Sequence, residues 1–272
     1  MNSNIPVFKA HAYGNDFLLA GDKRARVANA APDASALARA LCQRHTGIGA
    51  DGLIFYELRE RGASMRLFNA DGSASELSGN GVRCLAALVA REQNLCAGAT
   101  VTVETDAGIK RLELLGRDGE RYTFRAALGQ PEDIRQVTIP LGANTVTATV
   151  LRMGNPQCVV IGPLPASDQF HQLGPALATH AMFPAGTNVE FAHVESPDRV
   201  RILIWERGVG PTTSSGTGSC ASAVAAAVHG GASRDVDIVA PGGTQRVEWC
   251  TDGVYLTGWA EIVLAGEWLV EN

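Results

Sequence analysis

The sequence carries one pattern of motifs twice, and this repetition constrains the fold more than any other feature. Residues 65–81 (MRLFNADGSASELSGNG) align without a gap on residues 202–218 (ILIWERGVGPTTSSGTG), an offset of 137 (202 minus 65) in a chain of 272 residues. Two further pairs of motifs keep nearly the same offset: Gly49-Ala50-Asp51 with Gly186-Thr187-Asn188, and Gly14-Asn15 with Gly154-Asn155. Ordered repeats at one period predict an internally duplicated protein.

Each half reads as short strands followed by a glycine-rich loop that opens into an apolar helix, Val82–Glu92 or Ser219–His229. An earlier helix is clearest at Ala34–Arg44. This mixed order predicts an α+β fold of two pseudo-symmetric domains, each a sheet around a central helix. The repeat period and the Gly116–Gly119 turn place the domains at 1–119 and 120–272, and the last few residues either stay in the second domain or return to the first.

Composition excludes several classes of protein. The net charge of −5 argues against a nucleic-acid partner, and no apolar run reaches the roughly 18 residues of a membrane span. The N-terminus has no basic-then-apolar signal pattern. The six cysteines form no C-x-x-C pair and the histidines have no ligand spacing, so we expect reduced core thiols, no metal site and a cytoplasmic protein.

The two S-G-x-G loops, at Ser78–Gly81 and Ser215–Gly218, are the candidate chemical sites. Each delivers a helix N-terminus, whose free N–H groups and partial positive charge suit an anion. Two such ends facing one carboxylate would place Ser78 and Ser215 on either side of its α-carbon. That arrangement is typical of stereocentre inversion, in which one group removes a proton and another delivers one. The alternative is that each loop is a plain turn and helix cap.

A set of motifs in one order resembles the diaminopimelate epimerase family: Y-G-N-D-F (13–17), G-A-D-G (49–52), F-N-A-D-G-S (68–73), S-G-N-G-V-R-C (78–84), G-N-P (154–156), G-T-N-V-E-F (186–191), W-E-R-G-V-G (205–210) and S-G-T-G (215–218). The resemblance implies the two-domain epimerase fold with its site in the interdomain cleft. It also implies a homodimer that interconverts LL- and meso-diaminopimelate, a small amino-acid substrate, with no pyridoxal phosphate, metal or other cofactor.

The resemblance also carries roles onto matching residues. It implies that Ser78 and Ser215 flank the α-carbon and that Glu206 contacts the reacting amino group. The remaining matching positions are implied to bind substrate: the distal end by Asn15, Asn69, Asn188 and Arg207, the reacting carboxylate by Gly79, Asn80, Gly216 and Thr217, and another part of it by Asn155. Gln157, directly after the G-N-P motif, is expected to bind substrate as well, although its residue type departs from the family. Arginine suits a distal carboxylate because its planar fork binds both oxygens. The alternatives are local ones, since an asparagine in a turn usually bonds its own backbone and an exposed Glu-Arg pair is usually solvated.

The departures from the family pattern lie at positions that the family uses for proton transfer or substrate contact. The family has cysteine where this chain has Ser78 and Ser215, usually histidine where it has Gln157, and usually glutamate where it has Pro211. A serine hydroxyl is far less acidic than a thiol and needs a neighbouring base, and an amide cannot accept a proton.

Three interpretations of these departures stay open. The serines were introduced to trap an inactive enzyme, or the chain has diverged into a slow epimerase or a racemase or isomerase of another substrate, or it binds ligand without turnover. The retained distal set favours a diaminopimelate-like substrate over proline, which has no second charged end.

Overall fold

A computed structural model describes residues 4–21, 33–76, 78–142 and 144–269. The described chain divides into two compact units: the second is Ala127–Gly258, and the first holds the residues up to Ala126 and those from Trp259 onward. The sequence-based boundary after residue 119 lies in a hairpin turn of the first unit. Tyr122 and Phe124, just beyond that turn, are buried in the first unit's core. The first unit therefore extends to Ala126.

The described part of the first unit is a mixed sheet with two helices. Its elements are β1 (Ile5–Ala12), β2 (Asn15–Gly21), α1 (Ala34–Cys42), β3 (Gly52–Arg59), β4 (Gly62–Asn69), β5 (Ala74–Ser75), α2 (Gly79–Glu92), β6 (Thr100–Thr105), β7 (Gly108–Asp118) and β8 (Arg121–Gly129). Antiparallel pairs β1–β2, β3–β4 and β6–β7 are joined by parallel pairings of β2 with β3 and of β4 with β6. This alternation arises because each parallel step is made through a crossover that contains a helix.

The second unit repeats this topology. Its elements are β9 (Glu132–Leu141), β10 (Asn144–Arg152), β11 (Pro156–Ile161), α3 (Ser167–Ala178), β12 (Asn188–Ser196), β13 (Arg199–Glu206), β14 (Gly210–Thr212), α4 (Gly216–Ala225), β15 (Asp235–Ala240), β16 (Gly243–Cys250) and the first part of β17 (Gly253–Trp268), which belongs to the first unit from Trp259 onward. The parallel pairings are β11 with β12 and β13 with β15, the counterparts of those in the first unit. The predicted α+β class and internal duplication are confirmed.

The helices α2 and α4 are the central helices of their units. Every residue of α2 from Asn80 to Ala90 is buried, and so is every residue of α4 from Gly218 to Ala225. Helices that are apolar or small-sided all round are typical of full burial. Each central helix therefore has its first turn fixed by the core behind it.

The structure corrects several predicted element bounds. The central helices begin at Gly79 and Gly216, three residues before the predicted starts at Val82 and Ser219, because a serine cap lets the glycine-rich motif form the first helical turn. α1 ends at Cys42 rather than Arg44. The helix α3 has a proline in its last turn, and the sequence analysis did not locate it.

The structure also confirms the prediction for the cysteines and corrects the end of the second central helix. All six cysteines are free thiols, and Cys42, Cys84, Cys158 and Cys220 are buried. The second central helix continues past the predicted end at His229 as a π-turn, 226–230, and stops at Gly231 in the left-handed conformation (φ 77°), which glycine adopts readily at a helix end. Within the described ranges, no helix has the length and apolarity to cross a membrane.

Candidate active site

Ser78 and Ser215 cap the two central helices in nearly the same geometry. Their backbone angles are φ −134°, ψ 120° and φ −140°, ψ 125°. The N–H of Gly81 donates to Ser78 Oγ at 3.1 Å, and the N–H of Gly218 donates to Ser215 Oγ at 3.2 Å. Both serines are N-caps, so the part of the alternative interpretation that treats each loop as a helix cap is correct. Capping uses only an oxygen lone pair, so each hydroxyl proton remains free for another partner.

The first turns also present backbone donors. Gly79 and Asn80 begin α2, Gly216 and Thr217 begin α4, and N–H groups at these positions have no acceptor within the helix. A side chain on Gly79 would meet nothing within 4 Å, so its backbone is approachable. Each unit therefore supplies the donors that the anion-site prediction requires.

The two serines differ in the carboxylate beside them. The Ser215 hydroxyl hydrogen-bonds the Glu206 side chain at the end of β13. Burial raises the pKa of Glu206, and this hydrogen bond only partly offsets the rise. The matching end of β4 carries Asn69, whose Nδ2 donates to Ser73 Oγ at 2.9 Å. Ser215 therefore has a potential base, whereas the equivalent residue in the first unit is an amide.

A second group of predicted residues meets beside Ser78's helix. Asn80 Nδ2 donates to Asn15 Oδ1 at 3.2 Å, and Asn15 Nδ2 donates to Asp51 Oδ2 at 2.7 Å. The Asn80 oxygen accepts from Arg83 at 3.0 Å. These bonds fix the orientation of both asparagine amides before any ligand arrives.

Asp51, the hydrogen-bond partner of Asn15, belongs to a network of ion pairs. Arg44 Nη2 lies 3.0 Å from Asp16 Oδ1 and 2.8 Å from Asp51 Oδ1, and Lys9 Nζ lies 3.0 Å from Asp16 Oδ2. Burial alone would raise the pKa of Asp16, but its bonds to Arg44 and Lys9 outweigh burial and lower it. Sequence analysis assigned no role to Arg44 or Asp51, although Asp51 stands in the quoted G-A-D-G motif.

Asn188 and Arg207 meet in the second unit. The Arg207 backbone N–H donates to Asn188 Oδ1 at 2.9 Å, and its guanidinium donates to the Ala185 carbonyl at 2.8 Å. The Arg207 side chain is otherwise exposed, while Glu206 beside it is half-buried. The pair is thus not simply a solvated face, because one member points into the unit and the other is held at the surface.

Gln157 belongs to a buried cluster with three neighbours. One terminal atom of its amide lies 3.0 and 3.2 Å from the two carboxyl oxygens of Glu190. The other lies 2.6 Å from Asn155 Oδ1 and 3.1 Å from Thr217 Oγ1. Glu190 is fully buried in β12. Burial raises its pKa well above the ordinary range, and the negative charge of Glu206 raises it further.

Glu190 is the functional candidate that sequence analysis missed. The signal was a carboxylate inside the apolar run N-V-E-F-A, where glutamate is rarely fully buried without a partner. Some of the predicted residues meet at a helix N-terminus: Asn15 contacts Asn80 in the first unit, and Gln157 and Glu206 contact Thr217 and Ser215 in the second. Asn69, Asn188 and Arg207 instead bond Ser73, each other and the Ala185 carbonyl. Across the described ranges, no group of three or more His, Cys, Asp or Glu side chains is arranged to hold a metal ion.

Solved structures that share this fold include a predicted epimerase and a probable proline racemase. A predicted epimerase from Pseudomonas aeruginosa matches with a TM-score of 0.72 at 16% identity, covering 98% of this chain and 100% of that one. A probable proline racemase from Agrobacterium radiobacter K84 matches with a TM-score of 0.68 at 17% identity, covering 98% and 93%. At such identities the likeness defines the fold alone.

Sequence comparison gives the family. The diaminopimelate epimerase profile matches residues 7–132 and 149–263. The diaminopimelate epimerase of Desulforudis audaxviator (strain MP104C) is 42% identical over 279 aligned positions, covering 96% of this chain and 98% of that one. The chain belongs to the diaminopimelate epimerase family.

Proposed function

We propose that this protein is a diaminopimelate epimerase, which interconverts LL- and meso-diaminopimelate by moving a proton at one α-carbon. The observation that carries this proposal is family membership over nearly the whole chain, together with two serines that cap the two central helices in matching geometry. An inversion needs two acid/base groups, and the duplication supplies one in each unit.

In the proposed reaction one serine oxygen takes the α-proton, and the electron pair of the broken C–H bond delocalises into the substrate carboxylate. The other serine hydroxyl then delivers a proton to the opposite face of the α-carbon, so that protons and charge balance. The N–H groups of the first helical turns stabilise the negative charge on the carboxylate. Glu206 takes up the Ser215 proton when that residue acts as the base, which its hydrogen bond supports.

We propose that the remaining residues bind substrate as the family resemblance implies. The distal amino-acid end would meet Asn15, Asn69, Asn188 and Arg207. Asn155 and Gln157 would contact another part of the substrate, and no cofactor takes part. The amides of Asn15 and Asn188 are already fixed by Asp51 and by the Arg207 backbone, which supports a binding role at low ordering cost.

A ligand-binding form without turnover is the second candidate, and one observation favours it. In the first unit the residue that matches Glu206 is Asn69, whose amide cannot take up a proton, so Ser78 lacks the support that Glu206 gives Ser215. A racemase or isomerase of another substrate would share this weakness but would turn over a different acid.

Proton exchange tests the proposal directly. The protein is incubated with LL- and then meso-diaminopimelate in D₂O, and the α-proton signal is followed by NMR beside a protein-free control. Exchange that disappears in Ser78→Ala and Ser215→Ala establishes the epimerase assignment. Binding without exchange supports the second candidate, and neither binding nor exchange excludes diaminopimelate as the substrate.

We also propose a cytoplasmic homodimer that has no nucleic-acid or membrane partner. Six free thiols suit a reducing compartment. The half-exposed Val263 and Leu264 on β17 offer apolar surface for a second copy. Sedimentation equilibrium of the wild type against a Val263→Glu variant tests the dimer, since a monomeric wild type would contradict it.

A further inference from the structure

The two units differ in the residues that lie beneath the first turn of their central helices. In the first unit, a side chain on Gly81 would lie 3.1 Å from Ile54 and 3.5 Å from Phe17, both apolar. In the second, a side chain on Gly218 would lie 2.6 Å from Glu190 Oε1.

The strand registers make these residues counterparts. Phe17 pairs with Gly52 across the parallel strands β2 and β3, and Gln157 pairs with Asn188 across β11 and β12. Two residues further along, β3 carries Ile54 and β12 carries Glu190. Phe17 with Ile54 and Gln157 with Glu190 therefore occupy the same places in the two units. Because the first unit fills these places with apolar side chains, the fold itself does not require a polar pair there.

The hydrogen-bond chemistry of the cluster depends on whether Glu190 holds a proton. An ionised Glu190 accepts only, so the Gln157 nitrogen would have to face it. The Gln157 oxygen would then lie 2.6 Å from the Asn155 oxygen, and two acceptors would meet unless Asn155 also turned. A protonated Glu190 removes the conflict. It donates to the Gln157 oxygen, and the Gln157 nitrogen donates to Asn155 Oδ1.

We propose that Glu190 is a positioning residue that keeps its proton and donates a hydrogen bond to the Gln157 side-chain oxygen. This hydrogen bond fixes the Gln157 nitrogen towards Asn155 and Thr217. Thr217 lies in the first turn of α4, and Asn155 precedes β11. Glu190 thus determines which atoms these two residues present to a ligand. The functional part of the proposal rests on the proposed function, because Asn155 and Thr217 bind substrate there.

The surroundings of Glu190 suit a neutral acid. Its fully buried side chain pairs across the sheet with the buried Ile204, and burial raises its pKa even though the N-terminal end of α4 above it favours an anion. The ionisable groups acting with it are Glu206, whose charge opposes ionisation, and the Cys158 thiol on β11, whose pKa burial and Glu190 raise to about 12. A thiol with so high a pKa stays neutral and supplies no positive charge.

The protonation state is tested by stability against pH, which needs no substrate. A carboxyl that keeps its proton when folded but loses it when unfolded stabilises the native state less as pH rises. The folded-to-unfolded ratio of the wild type, relative to Glu190→Gln, should therefore fall about tenfold per pH unit above about pH 5. Glu195→Gln, at an exposed position of the same strand, should show no such fall.

A difference in stability between the wild type and Glu190→Gln that does not change with pH would overturn the proposal. If Glu190→Gln does not fold, infrared spectra of ¹³C-glutamate-labelled wild type at neutral pH decide instead. A protonated-carboxyl band that persists in Glu206→Gln is expected, and absence of that band would also contradict a proton on Glu190.

The positioning role is tested by a rescue pair. Glu190→Met keeps the volume but offers no donor, so diaminopimelate affinity and α-proton exchange should fall by about tenfold. Glu190→Gln keeps a donor for the Gln157 oxygen and should stay within about threefold of the wild type. Equal loss in both variants would overturn the positioning role. If the wild type neither binds nor exchanges diaminopimelate, the proposed function fails while the pH test of the proton still stands.

Discussion

Glu206 and Ser215 share a hydrogen bond, while the strand position that matches Glu206 in the first unit carries Asn69. The duplicated fold thus supports its two capping serines unequally. Ser215 can pass its proton to a carboxylate, whereas the matching residue in Ser78's unit is an amide. Proton transfer at the Ser78 side should therefore limit the rate of any epimerisation.

Glu206→Gln should lower α-proton exchange by about 10²-fold, because it removes the base that serves Ser215. Glu206 acts in its ionised form, and burial raises its pKa. Wild-type exchange should therefore rise as pH increases through that raised pKa, and Glu206→Gln should lose this rise. pH–rate profiles of both proteins check this, with exposed Glu113→Gln as the control. A rising limb that survives in Glu206→Gln would assign the titration to another group.

The double variant Ser78→Cys with Ser215→Cys should accelerate α-proton exchange by about 10²-fold or more. A thiol has a pKa near 8.5, and a helix N-terminus lowers it further, so both acid and base forms become accessible. Exchange rates in D₂O measure the gain. Ser222→Cys, buried further along α4, adds a thiol away from the site and should leave the rate unchanged. No gain in the double variant would show that Gln157, Pro211 or the substrate is the remaining obstacle.

Arg207→Lys should weaken diaminopimelate binding by about tenfold while changing the rate at saturation much less. Lysine lacks the planar fork that binds a distal carboxylate through two hydrogen bonds. Calorimetric titration and exchange at saturating substrate separate the two effects. Arg201, on the strand β13 that ends just before Arg207, is paired with Glu195, so Arg201→Lys is the matched control and should bind normally. An equal loss of affinity in both variants would remove the distal role of Arg207.

Asp16→Asn should destabilise the first unit by about 1–3 kcal/mol at neutral pH, because it leaves Lys9 and Arg44 without a shared carboxylate. The folded state lowers the pKa of Asp16, so its contribution is complete above the unfolded pKa of about 3.9 and disappears as pH falls through the folded value. The stability gap between the wild type and Asp16→Asn should therefore close in acid. Urea unfolding across pH measures it, with exposed Asp118→Asn as control. A gap that persists at low pH would exclude the ion network as its source.

Much of the fold could be predicted because its signals are local and occur twice. The S-G-x-G loops predicted both capped helices, because serine and glycine are favoured residues at a helix N-terminus. The helix starts were placed three residues late because apolar periodicity begins only after the glycines. The α3 helix lacks a side-chain cap and contains Pro175, so its local signals are weak.

The sequence by itself determined the duplication, the two capped central helices and the family, because motif order and spacing survive without any knowledge of contacts. Only the tertiary structure showed that Asp51 holds Asn15 and that Glu206 meets Ser215. It alone showed that Glu190, one letter in an apolar strand, lies buried against Gln157 where Ile54 lies in the first unit. The physical reason is that the protonation and hydrogen bonding of a side chain depend on neighbours distant in sequence, which folding alone brings together.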